Sequence, residues 1–233
     1  MDNPPAKLCC LAPEQMAGPY FRNAALERFD ITEGLPGVRL ELTLRLLHPD
    51  CTTPLADAWV DIWHCDAGGR YSGWSAIDPN VEAPSGEIGS IPRTDDDTYL
   101  RGHRLSDENG QVSFLTVFPG FYAGRATHIH VAVRQADALH VAYVGQLYFP
   151  PLISRLVSDS TAYGSRPITR LENHEDELYV ETQTHQAKNL DVAVSSLTDP
   201  GDRLLGFVEF SLDLEARSER IRPEDLQQDS VRP

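Results

Sequence analysis

The chain has 233 residues, 41% of them hydrophobic, and a formal net charge of −15 at pH 7. This length fits one domain with appendages, and this hydrophobic fraction is enough to form a real core. The strongly acidic balance excludes nucleic acid and anionic membranes as expected partners, and the lack of any run of about 18 apolar residues predicts no membrane span.

The amino-terminal arm and the cysteines bear on the compartment of the protein. Residues 1–36 contain no basic region followed by an apolar stretch, so no signal peptide is visible. A cytoplasmic location is therefore expected, with secretion as the alternative if a leader has been removed. The four cysteines are Cys9, Cys10, Cys51 and Cys65. They are interpreted either as buried free thiols or as one or two disulfides that involve the arm or the Cys51 loop.

The first two predicted strands are marked by alternation of apolar and polar side chains. In residues 38–46, VRLELTLRL, apolar residues alternate without error with Arg, Glu and Thr, which predicts a half-buried strand. After a turn rich in Pro and Asp, residues 58–64, AWVDIWH, predict a second strand. The glycine-rich stretch DAGGRYSGW ends that strand. Residues 77–98 then form a long polar loop, of a length that is often functional.

The second half of the chain is also predicted to consist mainly of strands. The clear strands are predicted at 111–118, 127–133, 141–149 and 207–214, and weaker ones at 178–182 and 191–195. The stretch PLISRLVSD predicts a short helix, because proline fits the first helical turn. The highly charged tail, residues 215–233, lacks periodicity and is expected to be disordered, with docking on a partner as the alternative.

Strands separated by turns, with almost no helix, predict an all-β protein. The expected fold is an antiparallel β-sandwich with long loops and little helix. The expected organisation is an arm over residues 1–36, a β-sandwich domain over 37–214, and the charged tail over 215–233.

Two histidines lie two residues apart within the strand predicted at 127–133. Residues i and i+2 of a strand point to the same face, about 6.5–7 Å apart. His128 and His130 therefore project together, while Ile129 and Val131 point to a face that is typical of a core. Such a pair beside a turn can converge on one metal ion. The alternative interpretation is two solvated surface histidines.

Two tyrosines follow glycine-containing turns in the same region, Tyr71 after GGR and Tyr122 after PGF. A free phenol has a pKa near 10, but a hard trivalent cation can remove its proton, because metal ligands bind deprotonated. Two phenolates and two neutral imidazoles would suit Fe(III) better than zinc. Taken singly, each tyrosine is equally well interpreted as an ordinary half-buried aromatic residue.

Three stretches of the sequence resemble the intradiol ring-cleavage dioxygenases, a family that includes protocatechuate 3,4-dioxygenases and catechol 1,2-dioxygenases. They are PLADAWVDIWHCDAGGRYSGW, LRGHRLSDENGQVSFLTVFPGFYAGRATHIHV and YVGQLYF. The elements GRY, PG-x-Y, R-x-x-H-x-H and GQL occur in the order of the family. The resemblance implies a non-haem Fe(III) ion with four protein ligands. These would be Tyr71, Tyr122, His128 and His130.

The resemblance also implies catalytic roles and a reaction. Tyr122 would leave the metal when substrate binds and accept a substrate proton, and Arg125 would stabilise charge on the bound substrate. Gln146 would line the oxygen side of the pocket. The implied reaction cleaves the ring of a catechol-type substrate with O2 to a cis,cis-muconate type diacid. The connection from Tyr122 to His128 is shorter than in classical protocatechuate enzymes, which argues against specificity for protocatechuate. Before the first tyrosine, the sequence shows no long helical segment of the kind that catechol 1,2-dioxygenases use to dimerise. With its elements IWHCDA and YSG, the chain instead resembles a shorter, single-sandwich subgroup.

Two other functions stay open on the sequence alone, as do the ring substituents and the oligomeric state. The first is a non-catalytic β-sandwich binding module, which would hold no stoichiometric iron. The second is a zinc-dependent hydrolase that uses His128, His130 and a carboxylate such as Asp66.

Overall fold

The computed structural model describes residues 11–23, 26–82, 86–135, 140–183, 190–196 and 203–227. Within these ranges, nine strands form two sheets, and the two α-helices are short. None of the helices in these ranges combines the length and the apolar character needed to cross a membrane.

One sheet has four strands. They are β1 (Arg39–Leu47), β4 (Gln111–Val117), β8 (Ala193–Ser196) and β9 (Arg203–Ser211). The order across the sheet is β4-β1-β9-β8. Strand β1 pairs antiparallel with β4 and parallel with β9, and β8 pairs antiparallel with β9.

The other sheet has five strands and carries the histidine pair. Its strands are β2 (Ala58–Trp63), β3 (Arg101–Leu105), β5 (His128–Gln135), β6 (Tyr143–Tyr148) and β7 (Leu190–Asp191). The order is β3-β2-β5-β6-β7, and only the β6–β7 pair is parallel among these described strands. The helices are α1 (Pro151–Ser158) and α2 (Glu177–Gln183).

The main core lies between the two sheets. The alternating leucines of β1 are fully buried and pack in one cluster with apolar residues of β2 and β5, such as Ile62 and Ile129. Each such side chain contributes roughly 2 kcal/mol by leaving water. The predicted helix-poor β-sandwich is therefore confirmed. It is antiparallel except at the β1–β9 and β6–β7 pairs.

A buried histidine links the two sheets next to the site. His64 follows β2, and its Nδ1 donates to the carbonyl oxygen of Cys65 at 2.8 Å. Its Nε2 must then accept from the hydroxyl of Thr116 on β4, at 2.7 Å. Burial lowers the pKa of His64 to about 4, so the bridge is a neutral imidazole at physiological pH.

Two elements differ from the predictions made from sequence. Strand β3 lies in a polar stretch without apolar alternation, so periodicity does not mark it. It is the last strand of its sheet, where it pairs with β2, and its His103 also forms an isolated parallel bridge with Glu27 of the arm. Residues 178–182, predicted as a weak strand, lie in helix α2 instead. Asp176 begins that helix, because its Oδ1 accepts from the amide of Leu178 at 3.0 Å, as an N-cap carboxylate does.

Much of the charged tail is packed on the body. The amide of Ser218 donates to the carbonyl of Val141 at 2.9 Å, and Ile221 is only 2% exposed. Asn23 of the arm donates its side-chain amide to the carbonyl of Leu226 at 2.8 Å. The expectation of disorder is therefore wrong for residues 215–227. Residues 228–233 lie outside the described part of the chain.

Of the two described cysteines, one is a free thiol and the other is in a disulfide, so each interpretation holds for one of them. Cys65 is a buried free thiol, whereas Cys51 is disulfide-bonded. Cys9 and Cys10 lie outside the described residues.

Candidate active site

Strand β5 directs its two histidines away from the main core. Ile129 and Val131 face the core, while His128 and His130 point to the other face, with 3.2 Å between their Nε2 atoms. Each histidine is only 2% exposed, because a second apolar cluster covers this face. The ring of Trp63 stacks on His130 with a centroid separation of 5.0 Å. The alternative of two solvated surface histidines is therefore wrong.

Both histidines are held as neutral imidazoles. The Nδ1 of His128 lies 2.7 Å from the carbonyl oxygen of Ala126, so Nδ1 carries the proton and Nε2 keeps its lone pair. Burial, followed by the positive charge of Arg125, lowers the pKa of His128 and of His130 well below the usual range. Neutral imidazoles with a free lone pair are the form that binds metal ions.

The loops that carry the two tyrosines are packed directly against each other. The turn from Asp66 to Arg70 is closed by reciprocal hydrogen bonds of 2.8 Å, and Tyr71 follows it. Gly69 in this turn has φ +88°, and a Cβ there would lie 2.2 Å from the carbonyl oxygen of Phe121. Only glycine can adopt this backbone angle and also leave room for the carbonyl oxygen of Phe121. The contact fixes Tyr71 relative to the loop of Tyr122.

The two tyrosines face the histidines. The Oη of Tyr122 lies 3.1 Å from Nε2 of His128, and the rings of Tyr71 and Tyr122 are 5.7 Å apart. The Oη of Tyr71 is buried and has no hydrogen-bond partner among the described residues. Burial raises the pKa of both phenols, helped at Tyr71 by Tyr122 and opposed at Tyr122 by Arg125. The four side chains predicted as metal ligands are thus brought together.

Arg125 lies against this group of four. Its Nη1 is 3.4 Å from both the Oη of Tyr122 and Nε2 of His128. Its Nε donates to Oδ2 of Asp176 at 2.9 Å, and its Nη2 donates to Oε1 of Gln146. Burial alone would lower the pKa of Arg125, but Tyr122 and Asp176 together raise it. A fixed positive charge therefore faces the tyrosine–histidine group.

Asp176 is a site residue that the sequence did not reveal. Its carboxylate is fully buried, and Oδ2 accepts both from Arg125 and from the amide of Ala126, each at 2.9 Å. Its Oδ1 caps helix α2 through Leu178. One carboxylate thus holds both Arg125 and Ala126, the residue whose carbonyl orients His128. No sequence motif connects it to residues 50 and 51 positions earlier.

Gln146 lies opposite His130 in the register of β5 and β6. Its Oε1 accepts from Arg125 and, at 3.2 Å, from the hydroxyl of Tyr148. Its Nε2 donates to the carbonyl of Met16 in the arm at 3.1 Å. Gln146 is only 1% exposed, and through these hydrogen bonds its side-chain amide holds Arg125 in place.

Tyr20 is a second residue that sequence reasoning missed. It comes from the arm, and its ring stacks on Tyr71 with a centroid distance of 4.6 Å and an interplanar angle of 24°. It also meets the ring of Tyr122 edge-on at 6.4 Å. Burial raises the pKa of Tyr20 to about 12, so it stays a neutral phenol. The arm has no alternation of apolar and polar residues, so sequence periodicity did not point to Tyr20.

A pocket of about 460 Å³ opens beside these residues. Its walls include Met16, Tyr20, Tyr122, Arg125, His130 and Leu178. The volume is suited to one small aromatic molecule with water around it. The pocket therefore brings a small ligand to the tyrosine–histidine group and to Arg125.

A helix-poor β-sandwich that groups Tyr71, Tyr122, His128 and His130 beside one pocket is the arrangement of the ring-cleaving dioxygenases. Residues 16–186 match the family model described as Dioxygenase. The chain belongs to the intradiol ring-cleavage dioxygenase family.

Individual relatives agree with this assignment. An intradiol ring-cleavage dioxygenase from Tetranychus urticae superposes with a TM-score of 0.78 at 31% identity, covering 91% of this chain and 98% of that one. The dioxygenase domain of a carbohydrate-binding fusion protein from Streptomyces sp. SirexAA-E has a TM-score of 0.59 at 27% identity, covering 88% of this chain and 99% of that one.

A curated relative matches over a shorter range. The protocatechuate 3,4-dioxygenase beta chain of Burkholderia cepacia is 30% identical over 128 residues, which are 51% of this chain and 48% of that one. The match therefore spans about half the length of that relative.

Proposed function

We propose that this protein is a non-haem Fe(III) intradiol dioxygenase that cleaves a catechol-type substrate with O2 to a cis,cis-muconate type diacid. The observation that carries the proposal is the group formed by Tyr71, Tyr122, His128 and His130. In it, the Oη of Tyr122 lies 3.1 Å from Nε2 of His128, the Nε2 atoms of the two histidines are 3.2 Å apart, and the ring of Tyr71 lies 5.7 Å from that of Tyr122. Membership of the family supports the same reaction.

The residues present fit a ferric ion. The buried Oη of Tyr71 lacks a hydrogen-bond partner within the described ranges, and leaving such a group unsatisfied costs about 1–3 kcal/mol. The low pKa of each histidine keeps it neutral, while the raised pKa of each tyrosine keeps it protonated until a cation compensates the charge. A trivalent cation bound to phenolates meets both conditions. Tyr71, Tyr122, His128 and His130 would hold it.

The chain's own residues supply the remaining chemistry. Tyr122, as a phenolate, accepts a proton at Oη from a substrate hydroxyl. Arg125, fixed by Asp176 and Gln146, faces the negative charge on the bound ring. The chemistry that bound ferric iron supplies is withdrawal of electron density from the ring, which makes the ring react with molecular oxygen. The second apolar cluster, which includes Trp63, keeps bulk water from this side of the histidines.

The two alternative functions have less support. A zinc hydrolase would need a third ligand such as Asp66, but among the described residues no group of three or more His, Cys, Asp or Glu is arranged to hold a metal. Asp66 instead caps its own turn through Arg70. In a binding module without metal, the buried Oη of Tyr71 would stay without a hydrogen-bond partner, which lowers stability and serves no function. Metal analysis separates all three functions.

The purified protein is expected to contain about one iron per chain and to be red, because phenolates transfer charge to ferric iron. Tyr71→Phe is expected to bleach or shift the visible band and to weaken iron retention, since it removes one phenolate. Tyr163→Phe is the matched control, because Tyr163 is equally buried but lies in the main core. A colourless wild type that binds zinc, or no metal, when expressed with ample iron would contradict the proposal.

A further inference from the structure

The mouth of the active-site pocket is acidic. Of the described residues that line the pocket, the acidic ones are Glu82, Glu175, Asp176 and Glu177, and the basic one is Arg125. The three glutamates are exposed, whereas Asp176 is fully buried. Inside the pocket, Arg125 and Asp176 form an ion pair. At the opening, the carboxylates of the three glutamates have no basic residue to balance them among the described lining residues.

The positive charge inside the pocket is already engaged. Arg125 donates through Nε to Asp176 at 2.9 Å and through Nη2 to Gln146. Only its Nη1 faces the tyrosine–histidine group. The side chain is thus directed toward the reacting end of a substrate, and the opening holds no arginine or lysine among the described lining residues that could pair with a carboxylate there.

Two of the glutamates are free to act on a ligand. Glu82 rests against the loop of Tyr122, since a Cβ on Gly124 would lie 3.1 Å from its Oε1. No ion pair of Glu82 or Glu177 occurs within the described ranges. Glu175 differs, because its Oε2 accepts from the amide of Glu172 at 2.8 Å and closes a capping box.

Substrate geometry connects this charge to specificity. A catechol whose two oxygens face the tyrosine–histidine group directs ring positions 4 and 5 away from that group, toward the opening. A charged substituent at these positions then lies in the same pocket opening as the glutamates. Charges within about 10 Å of each other are only partly screened at 0.1 M salt. An anionic substituent is repelled and a cationic one attracted, with an effect that salt weakens.

We propose that Glu82 and Glu177 select substrates by charge, so that catechols with neutral or cationic substituents at position 4 are preferred over those with carboxylates. This inference rests on the proposed function and names the substrate class of the same site. It makes these two glutamates specificity-determining residues and leaves the ring-cleaving chemistry to the tyrosine–histidine group.

The test compares two probes that differ only in terminal charge, 4-(2-aminoethyl)catechol and 3-(3,4-dihydroxyphenyl)propionate. Both carry two methylene groups next to the ring, so the ring electronics are nearly matched. Oxygen uptake gives kcat/KM for each probe with the iron-loaded enzyme, and anaerobic calorimetry gives each Kd. At 20 mM salt, the amine is expected to be favoured at least about tenfold in both measurements, and this ratio is expected to fall toward one at 0.5 M salt.

The double variant Glu82→Gln, Glu177→Gln is expected to lower the ratio at least about fivefold at 20 mM salt, because the charges are lost while shape is kept. Glu175 is left unchanged because it closes the capping box. Glu108→Gln is the control, since Glu108 is exposed on the β3–β4 turn at the other end of the sheet.

A wild-type ratio of one or below at 20 mM salt would overturn the inference, as would a ratio that neither salt nor the double variant changes. If the proposed function itself is wrong, the experiment gives a different result. In that case, neither probe nor catechol itself supports oxygen uptake by the iron-loaded protein. Calorimetry then still reports whether the pocket prefers the amine.

Discussion

His130→Ala is expected to lower the iron content to less than about one tenth of the wild-type value and to abolish ring cleavage. Even partners that merely orient a metal ligand contribute about 10–100-fold in affinity, so loss of a ligand nitrogen has at least this effect. The fold is expected to survive, because Ile129 and Val131 hold β5 in the main core. On the other face, the imidazole loses its stacking with Trp63 and its ring contacts with Tyr71 and His128.

Iron analysis of the variant purified beside the wild type measures this effect, and circular dichroism checks the fold. His103→Ala is the matched control, because His103 lies on β3 of the same sheet, near Trp59 and Asp61 and away from the site. That variant is expected to keep its iron. If His130→Ala retained full iron, or if it unfolded while His103→Ala did not, His130 would be structural and the proposed site would be wrong.

Arg125→Ala is expected to keep iron and colour but to lower kcat by about 10²–10³, the usual effect of removing a fixed group that stabilises developing charge. Its Nη1 is 3.4 Å from the Oη of Tyr122, so it faces the reacting end of the pocket without being a metal ligand. Arg125→Lys is expected to recover little activity, because the single nitrogen of an ammonium lacks the planar fork with which Arg125 contacts Asp176 and Gln146 while Nη1 faces the site.

Removing Arg125 also leaves the buried carboxylate of Asp176 unpaired, which costs about 3–5 kcal/mol of stability. The double variant Arg125→Ala, Asp176→Asn removes that charge and is expected to recover part of the lost stability but none of the lost kcat. Steady-state oxygen uptake and thermal unfolding separate the two effects. Unchanged kcat in Arg125→Ala would remove Arg125 from the chemistry and leave the iron site standing.

Alternation marks the strands of the four-stranded sheet, such as β1 and β4, because one face of each is buried and the other is partly exposed. Strand β1 follows this rule along its length, with Leu40 to Leu46 buried at every second position. Strands β5 and β6 are buried along most of their length on both faces. Strand β3 could not be predicted in this way, since Arg101 is buried by hydrogen bonds to Ser72 rather than by apolar packing. Helix α2 escaped prediction because the cap formed by Asp176 outweighs weak strand propensity over a few residues.

The candidate site was predictable where its residues are close in sequence or part of a motif. His128 and His130 share a face because of the period of a strand, and Tyr122 is six residues away. Tyr20 and Asp176 were not predictable, because only the packed fold brings the arm and the start of α2 to β5. The burial of the histidines also required the structure, since the residues that cover them come from distant segments.

The most direct test of the account is the product that the iron-loaded protein forms from catechol under ¹⁸O2, without added reductant. The account predicts a cis,cis-muconate that absorbs in the ultraviolet and carries two ¹⁸O atoms, with one O2 consumed per catechol. This product is expected because ferric ligation by Tyr71 and Tyr122 would direct cleavage between the two hydroxyl-bearing carbons. A yellow semialdehyde from cleavage beside the diol, or intact catechol in the presence of bound iron, would contradict it.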